Sequence, residues 1–180
     1  MTSPTVAETL PVVPHLAGEF YLWLWWSSET QGGTLRLPDP VLDIELWVDQ
    51  RLAFRNPQDN KVSAVLTGEH PSETLEAKAA VYGGKVLHEL RLRIVRDDRQ
   101  FVLTLKGPEM HFSAVKFPQS LQESPEEAIY DRVFLYEELG LIVQNLLDQF
   151  VRVRTSKSWE NQVFPAIRAW IAGHTPPEPT

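Results

Sequence analysis

Three carboxylates lie close together in the stretch PDPVLDIEL, at Asp39, Asp43 and Glu45. Clustered carboxylates can hold a divalent metal ion, and with a nearby lysine they would suit phosphodiester cleavage. Trp47 stands where that lysine would be expected, and Asp43, Glu45 and Asp49 alternate with apolar residues. The pattern therefore favours a β-strand with an exposed acidic face over a nuclease site.

Other catalytic chemistry finds no support in the residue types. The chain has no cysteine, which removes disulfides, thiol nucleophiles and cysteine-based zinc sites and suits a reducing compartment. No two of the five histidines are three or four residues apart, and no phosphate loop, nucleophile elbow or dinucleotide glycine pattern occurs. We expect no catalytic residue, no metal site and no cofactor.

Positive charge is concentrated in two segments of an acidic chain, whose net charge is −7. Residues 85–116 hold seven basic and four acidic side chains, and residues 151–157 hold three basic and no acidic ones. The rest of the chain has 7 basic and 20 acidic residues. Non-specific DNA binding depends mainly on Lys and Arg contacts with phosphates, so these two segments are the candidates for it.

A β-hairpin accounts for most of the first basic segment. With a turn at Asp97-Asp98, the apolar residues of both strands fall on one face, and a slip of one residue would mix the faces. Arg91 and Arg93 then share the opposite face, and Glu89 lies opposite Lys106. A solvated charged face is the alternative interpretation. The residues predicted to contact DNA are Lys85, Arg91, Arg93, Arg96, Arg99, Lys106 and Lys116.

The run EFYLWLWWSSE contains five aromatic rings within seven residues. It is too short to span a bilayer, which needs about 20 apolar residues, and we expect a cytoplasmic protein without membrane contact. A helix is favoured over a strand because Leu16 extends an apolar stripe by one turn. Residues 15–35 contain no Lys or Arg, which argues against base stacking. We expect the rings to fill a core and to form an interface with a second subunit or a protein partner. The predicted interface residues are Phe20, Trp23, Trp25 and Trp26.

The remaining patterns predict an α+β fold with an antiparallel or mixed sheet of hairpins, the aromatic N-terminal helix, a short middle helix and two C-terminal helices. One domain spans residues 15–172, between a mobile arm at 1–14 and a disordered tail at 173–180. The other predicted elements are a strand at 42–48 that turns at Asp49-Gln50 into 51–55, strands at 61–68 and 110–117, a short helix that Ser72 opens, and helices at 124–154 and 158–172.

The two C-terminal helices carry clear signals. Ser124 and Glu127 form a potential capping box around Pro125, and Pro165 predicts a kink or a late start in the last helix. The basic residues at the end of the long helix suit either the helix dipole or a phosphate contact. The apolar stripe of the long helix comprises Ile129, Val133, Tyr136, Leu139, Val143, Leu146, Leu147 and Phe150, and its terminal basic residues are Arg152, Arg154 and Lys157.

Residues 60–150 resemble the C-terminal half of the bacterial recombination-associated protein RdgC family. The resemblance rests on Gly84-Lys85-Val86, the hairpin from Leu87 to Leu105, Val115-Lys116-Phe117 and the helix segment ELGLIVQNLL. It implies a dimerising α+β protein that encloses duplex DNA without sequence preference and restrains the RecA recombinase. The basic positions that match the family are Lys85 and Lys116.

Three functions were weighed on these grounds. The first is a non-enzymatic, oligomeric accessory protein of DNA recombination or replication that binds duplex DNA through the basic hairpin face. The second is a protein-interaction or assembly subunit of the same fold that does not bind DNA. An enzyme is the least supported of the three.

Overall fold

The computed structural model describes residues 16–59, 61–119 and 124–173. These residues form six antiparallel strands and four α-helices, joined by turns and loops. The predicted α+β class is confirmed. The predicted arm at 1–14, and the predicted tail beyond Gly173, lie outside the described residues. In chain order the elements are α1 (Leu16–Thr30), β1 (Thr34–Pro38), β2 (Val41–Arg55), β3 (Val62–Thr67), a 3-10 turn (Pro71–Glu73), α2 (Leu75–Tyr82), β4 (Val86–Arg96), β5 (Arg99–Lys106), β6 (His111–Lys116), α3 (Pro125–Arg154), a π-helical turn (Trp159–Val163) and α4 (Phe164–Ile171).

The sheet has the strand order β1-β2-β4-β5-β6, and β3 pairs with the second half of β2. The predicted turn at Asp49-Gln50 is wrong, because β2 continues through it as one strand of 15 residues. Gln50 has a φ of 44°, and β2 advances from Val48 to Leu52 while β4 advances only from Leu92 to Leu90. The extra residues bulge out of the ladder, which bends the strand without ending it.

The predicted hairpin register is confirmed in full, from Glu89 opposite Lys106 to Arg96 opposite Arg99. Asp97 adopts a φ of 55°, as a tight hairpin turn requires. The apolar face of the hairpin belongs to the main hydrophobic core, and we call this side of the sheet the inner face and the opposite side the outer face. The inner-face residues of the hairpin are Leu90, Leu92, Ile94, Phe101, Leu103 and Leu105.

Helix α1 is enclosed by this chain's own elements, which corrects the predicted interface. Phe20 and Trp23 contact Phe150 of α3, with ring centroids 5.4 and 5.7 Å apart. Trp25 meets Trp170 of α4 edge to face at 4.9 Å. Because Phe20, Trp23 and Trp25 are buried on contact with α3 and α4, they are core residues rather than interface residues. Of the four predicted residues only Trp26 is partly exposed, and it too packs against the core.

The helix starts follow the predicted signals with two differences. Ser124 precedes α3 as predicted, but its side chain forms no capping hydrogen bond, so the capping box is not made. Ser72 lies in the 3-10 turn, and Thr74 caps α2 instead by accepting a backbone hydrogen bond. Pro165 is the second residue of α4, and the chain is already helical before it, in the π-helical turn after which the Phe164 N–H binds the Trp159 carbonyl oxygen. The α-helix itself starts at Phe164, but it continues this π-helical turn.

Candidate nucleic-acid interface

Arg91 and Arg93 project from the outer face of the sheet, as predicted. The ladder aligns Arg93 with Trp47 of β2 on one side and with Val102 of β5 on the other. Val102 in turn aligns with Lys116 of β6. One cross-strand row on the outer face therefore carries a tryptophan, an arginine, a buried valine and an exposed lysine.

Two ion pairs neutralise part of this face. The Nε atom of Arg91 lies 3.5 Å from a carboxylate oxygen of Asp49, and that of Arg51 lies 2.7 Å from Glu89. Glu89 lies opposite Lys106 as predicted, but its carboxylate contacts Arg51. The favourable pair expected between Glu89 and Lys106 is thus replaced by a pair on the other side of Glu89.

The two arginines that flank the hairpin turn are held by the long helix. Arg96 and Arg99 each donate a hydrogen bond of 2.7 Å from Nη1 to the carboxylate of Glu138 on α3. The side chain of Glu138 is only 5% exposed. Charge-assisted bonds of this kind are the stronger hydrogen bonds in proteins, so both guanidinium groups are largely committed to the chain's own carboxylate.

Four of the seven predicted DNA contacts keep their charge available. Among the described residues, Lys85, Arg93, Lys106 and Lys116 form no ion pair. Lys106 and Lys116 are exposed, and Lys85 is half-buried. The Nε atom of Arg93 is buried without a hydrogen-bond partner, so this guanidinium group has donor capacity left. The structure therefore leaves Arg93 and Lys116, in one row, as the best-placed pair for an anion.

The acidic cluster at the start of β2 is exposed. Asp39, Asp43 and Glu45 are all exposed, and Asp43 lies opposite Arg36 of β1. Within the described ranges no group of three or more His, Asp or Glu side chains is arranged to hold a metal ion. The alternation of Asp43 and Glu45 with buried residues agrees with the acidic strand face that the sequence favours.

The second basic segment is divided between two roles. Arg154 donates from Nε to Glu19 of α1 at 2.6 Å, and its guanidinium group lies over the ring of Trp159 at 5.2 Å. Arg152 and Lys157 are exposed at the end of α3, where cations favour the helix dipole. Arg154 thus joins the first and the longest helix.

A cavity of about 300 Å³ lies at the end of the sheet, beside the first turn of α1, and Arg55 and His88 line it. His88 is 7% exposed, and its Nε2 atom has no hydrogen-bond partner in the described part of the chain. Burial lowers the pKa of His88, and the nearby charge of Arg55 lowers it further. Tyr21 donates a 2.7 Å hydrogen bond to the carbonyl oxygen of Gly107 close by, and burial raises the pKa of that phenol. Nothing in the sequence distinguishes His88 from the other histidines.

The first half of α3 exposes a set of large apolar side chains, which we call the α3 apolar surface. A groove of about 1100 Å³ runs between this part of α3 and residues 115–119, which form the end of β6 and the segment that follows it. The apolar stripe predicted for the long helix begins in this half of α3, but only its members from Leu139 onward lie in the hydrophobic core. The sequence contains one sign of an exposed apolar surface, because apolar residues of α3 also occur outside the predicted stripe. The α3 apolar surface consists of Ile129, Tyr130, Val133, Phe134, Tyr136 and Leu141.

No helix in the described part of the chain combines the length and apolar character needed to cross a bilayer.

Comparisons with protein-family models, with curated proteins and with solved structures each found no match to this chain. The resemblance to the RdgC family therefore has only the sequence pattern behind it.

Proposed function

We propose that this protein is a non-enzymatic DNA-associated accessory protein, similar in role to the RdgC family, which binds duplex DNA without sequence preference. The observation that carries the proposal is the outer-face row in which Arg93 on β4 and Lys116 on β6, separated by β5, have no carboxylate partner among the described residues. The helices pack on the inner face, and Lys116 is exposed in this row, whereas Val102 between the two cations is buried.

The outer face suits phosphates better than bases. Arg93 and Lys116 are separated by one strand, which places their Cα atoms about 10 Å apart given a strand spacing of about 4.8 Å. Lys106 lies at the far end of β5, on the same face. Cations spaced along a flat sheet can contact successive phosphates, and such contacts carry no sequence information. Arg91, Arg96 and Arg99 contribute less, because each is already paired with a carboxylate.

A titration of labelled duplex DNA at two salt concentrations tests this function. The wild type is compared with Arg93→Glu/Lys116→Glu and with a control of equal charge change, Arg36→Glu/Lys61→Glu, at exposed positions outside both basic segments. We expect wild-type affinity to fall steeply with salt, and the logarithmic slope to decrease by about 0.9 for each phosphate contact removed. The control should keep most of the wild-type affinity. Equal loss in both double variants, or no binding by the wild type at low salt, refutes the proposal.

A second function, that of a protein-interaction or assembly subunit, is favoured by a different observation. Three of the seven predicted DNA contacts are paired with Asp49 or Glu138, and most of the exposed large apolar side chains in the described part of the chain lie on α3. If this second function is correct, we expect the wild type not to bind DNA at low salt and to bind a protein segment at α3.

A further inference from the structure

The α3 apolar surface is large for a chain on its own. Its six side chains are between 47% and 75% exposed, within 13 residues of one helix. We infer that this surface binds an amphipathic helix of a partner protein, apolar along one face and carrying Lys or Arg at its flanks. The inference rests on the second proposed function.

The area is sufficient for specific association. Six side chains of this size, each between 47% and 75% exposed, present on the order of 700 Å² over two adjacent sides of α3, and a standard interface buries roughly 800 Å² on each partner. Isolated exposed apolar residues need no explanation, whereas contiguous patches of this size mark interaction sites. Leu75 is an isolated case of that kind, at 81% exposure on α2.

The shape of the surface fits a helix. Ile129, Val133 and Tyr136 follow the i, i+4, i+7 spacing and form one wall of the groove. Phe117 also lines the groove and packs against Tyr136, with ring centroids 6.1 Å apart. Tyr130 follows Ile129 about 100° further around α3, so it lies beside this wall, at 75% exposure. An apolar groove bordered by a helix is a common receptor for an amphipathic helix.

Charge selects among the possible occupants. Residues 125–137 contain four carboxylates and one arginine, and Lys116 also lines the groove, so four acidic side chains stand against two basic ones around it. A second copy docked around a two-fold axis would bring this acidic segment against itself, and an anionic membrane surface would also be repelled. A helix with cationic flanks is attracted instead. The carboxylates concerned are those of Glu126, Glu127, Asp131 and Glu137.

A designed peptide tests the inference directly. The probe is a fluorescein-labelled amphipathic helix of 18 residues, with Leu and Phe at i, i+3, i+4 and i+7 and Lys at the flanks, followed by fluorescence anisotropy. We expect saturable binding that weakens about tenfold or more in Ile129→Ser/Phe134→Ser, since truncation at the centre of an interface has effects of that size. Leu75→Ser is the matched control and should bind the probe as the wild type does.

Three results would overturn the inference. The first is the absence of saturable binding of the Lys-flanked probe by the wild type. The second is equal binding of a probe with Glu in place of Lys at the flanks, because it removes the role of charge. The third is a dimer in sedimentation velocity that Ile129→Ser/Phe134→Ser abolishes, because a second copy would then be the occupant. Neither substitution touches the outer sheet face, so the DNA titration reports separately on the first proposed function.

Discussion

The carboxylate of Glu138 accepts a 2.7 Å hydrogen bond from Nη1 of Arg96, which joins the tip of the β4–β5 hairpin to the middle of α3. Arg99 binds the other carboxylate oxygen at the same distance. A single buried acid thus holds two arginines that, from the sequence alone, appeared available to DNA.

Replacing Glu138 by Gln removes this double ion pair. We expect a loss of about 2 kcal/mol in the free energy of unfolding, below the cost of breaking a fully buried pair because both arginines are partly solvated. Urea denaturation measures the effect. Glu137→Gln, at the exposed neighbouring position, should change stability little, and similar losses in both variants would contradict the role given to Glu138.

Truncating Trp25 to Ala should cost about 3–5 kcal/mol, because it leaves a large cavity in the core. It also removes the edge-to-face contact with Trp170 and the 2.7 Å hydrogen bond to Glu29. Trp26→Ala should cost clearly less, since that ring is partly exposed. Chemical denaturation provides the comparison. An unchanged stability combined with an altered sedimentation coefficient would instead restore Trp25 as an interface residue.

Stability should depend on pH through His88. The pKa of a histidine in an unfolded chain is about 6.5, and burial lowers the pKa of folded His88 below that value. As the pH falls below about 6.5 the unfolded state takes up a proton that the folded state resists, so stability decreases with decreasing pH. Denaturation between pH 7.5 and 5 should show a shallower slope for His88→Gln than for the wild type. His111→Gln, at an exposed position, should keep the wild-type slope.

Two features of the structure favour glycine at position 33, the backbone conformation and the close approach of the Trp47 ring. Its φ is +78°, and a Cβ atom there would lie 2.3 Å from the ring of Trp47. Gly32 has a similar φ of +62° with nothing within 4 Å of such an atom. Gly32→Ala should therefore cost about 1 kcal/mol from backbone conformation alone. Gly33→Ala should cost more and should also change the fluorescence of Trp47, and equal costs would show that the ring yields without strain.

The register of the hairpin was predictable because six apolar residues fall on one face when Asp97-Asp98 forms the turn, and a slip of one residue would mix the faces. The bulge at Gln50 was not predictable from the sequence, because Asp49-Gln50 between two strand-like segments has the composition of a turn. Only the pairing of both halves of β2 with the same β4 keeps it a single strand. Local sequence carries no information about such a distant partner.

The positions of the basic side chains were predictable, but the number of them that remain free of carboxylate partners was not. The alternation around Arg91 and Arg93 placed both side chains on one face correctly. It gave no sign that Asp49 and Glu138 would bind Arg91, Arg96 and Arg99, because Glu138 lies 42 residues from Arg96 in the sequence. For α3, periodicity indicated which residues share a side of the helix. It did not indicate that neighbouring elements cover only the C-terminal half of that side.

The hydrogen bond from Tyr21 to Gly107 spans 86 positions of the chain. Its consequence concerns synthesis, because a ribosome releases α1 before the strands and helices that enclose it exist. During that interval the aromatic helix is in water, where exposed apolar surface promotes aggregation. We therefore expect the nascent protein to depend on chaperones until α4 has been translated.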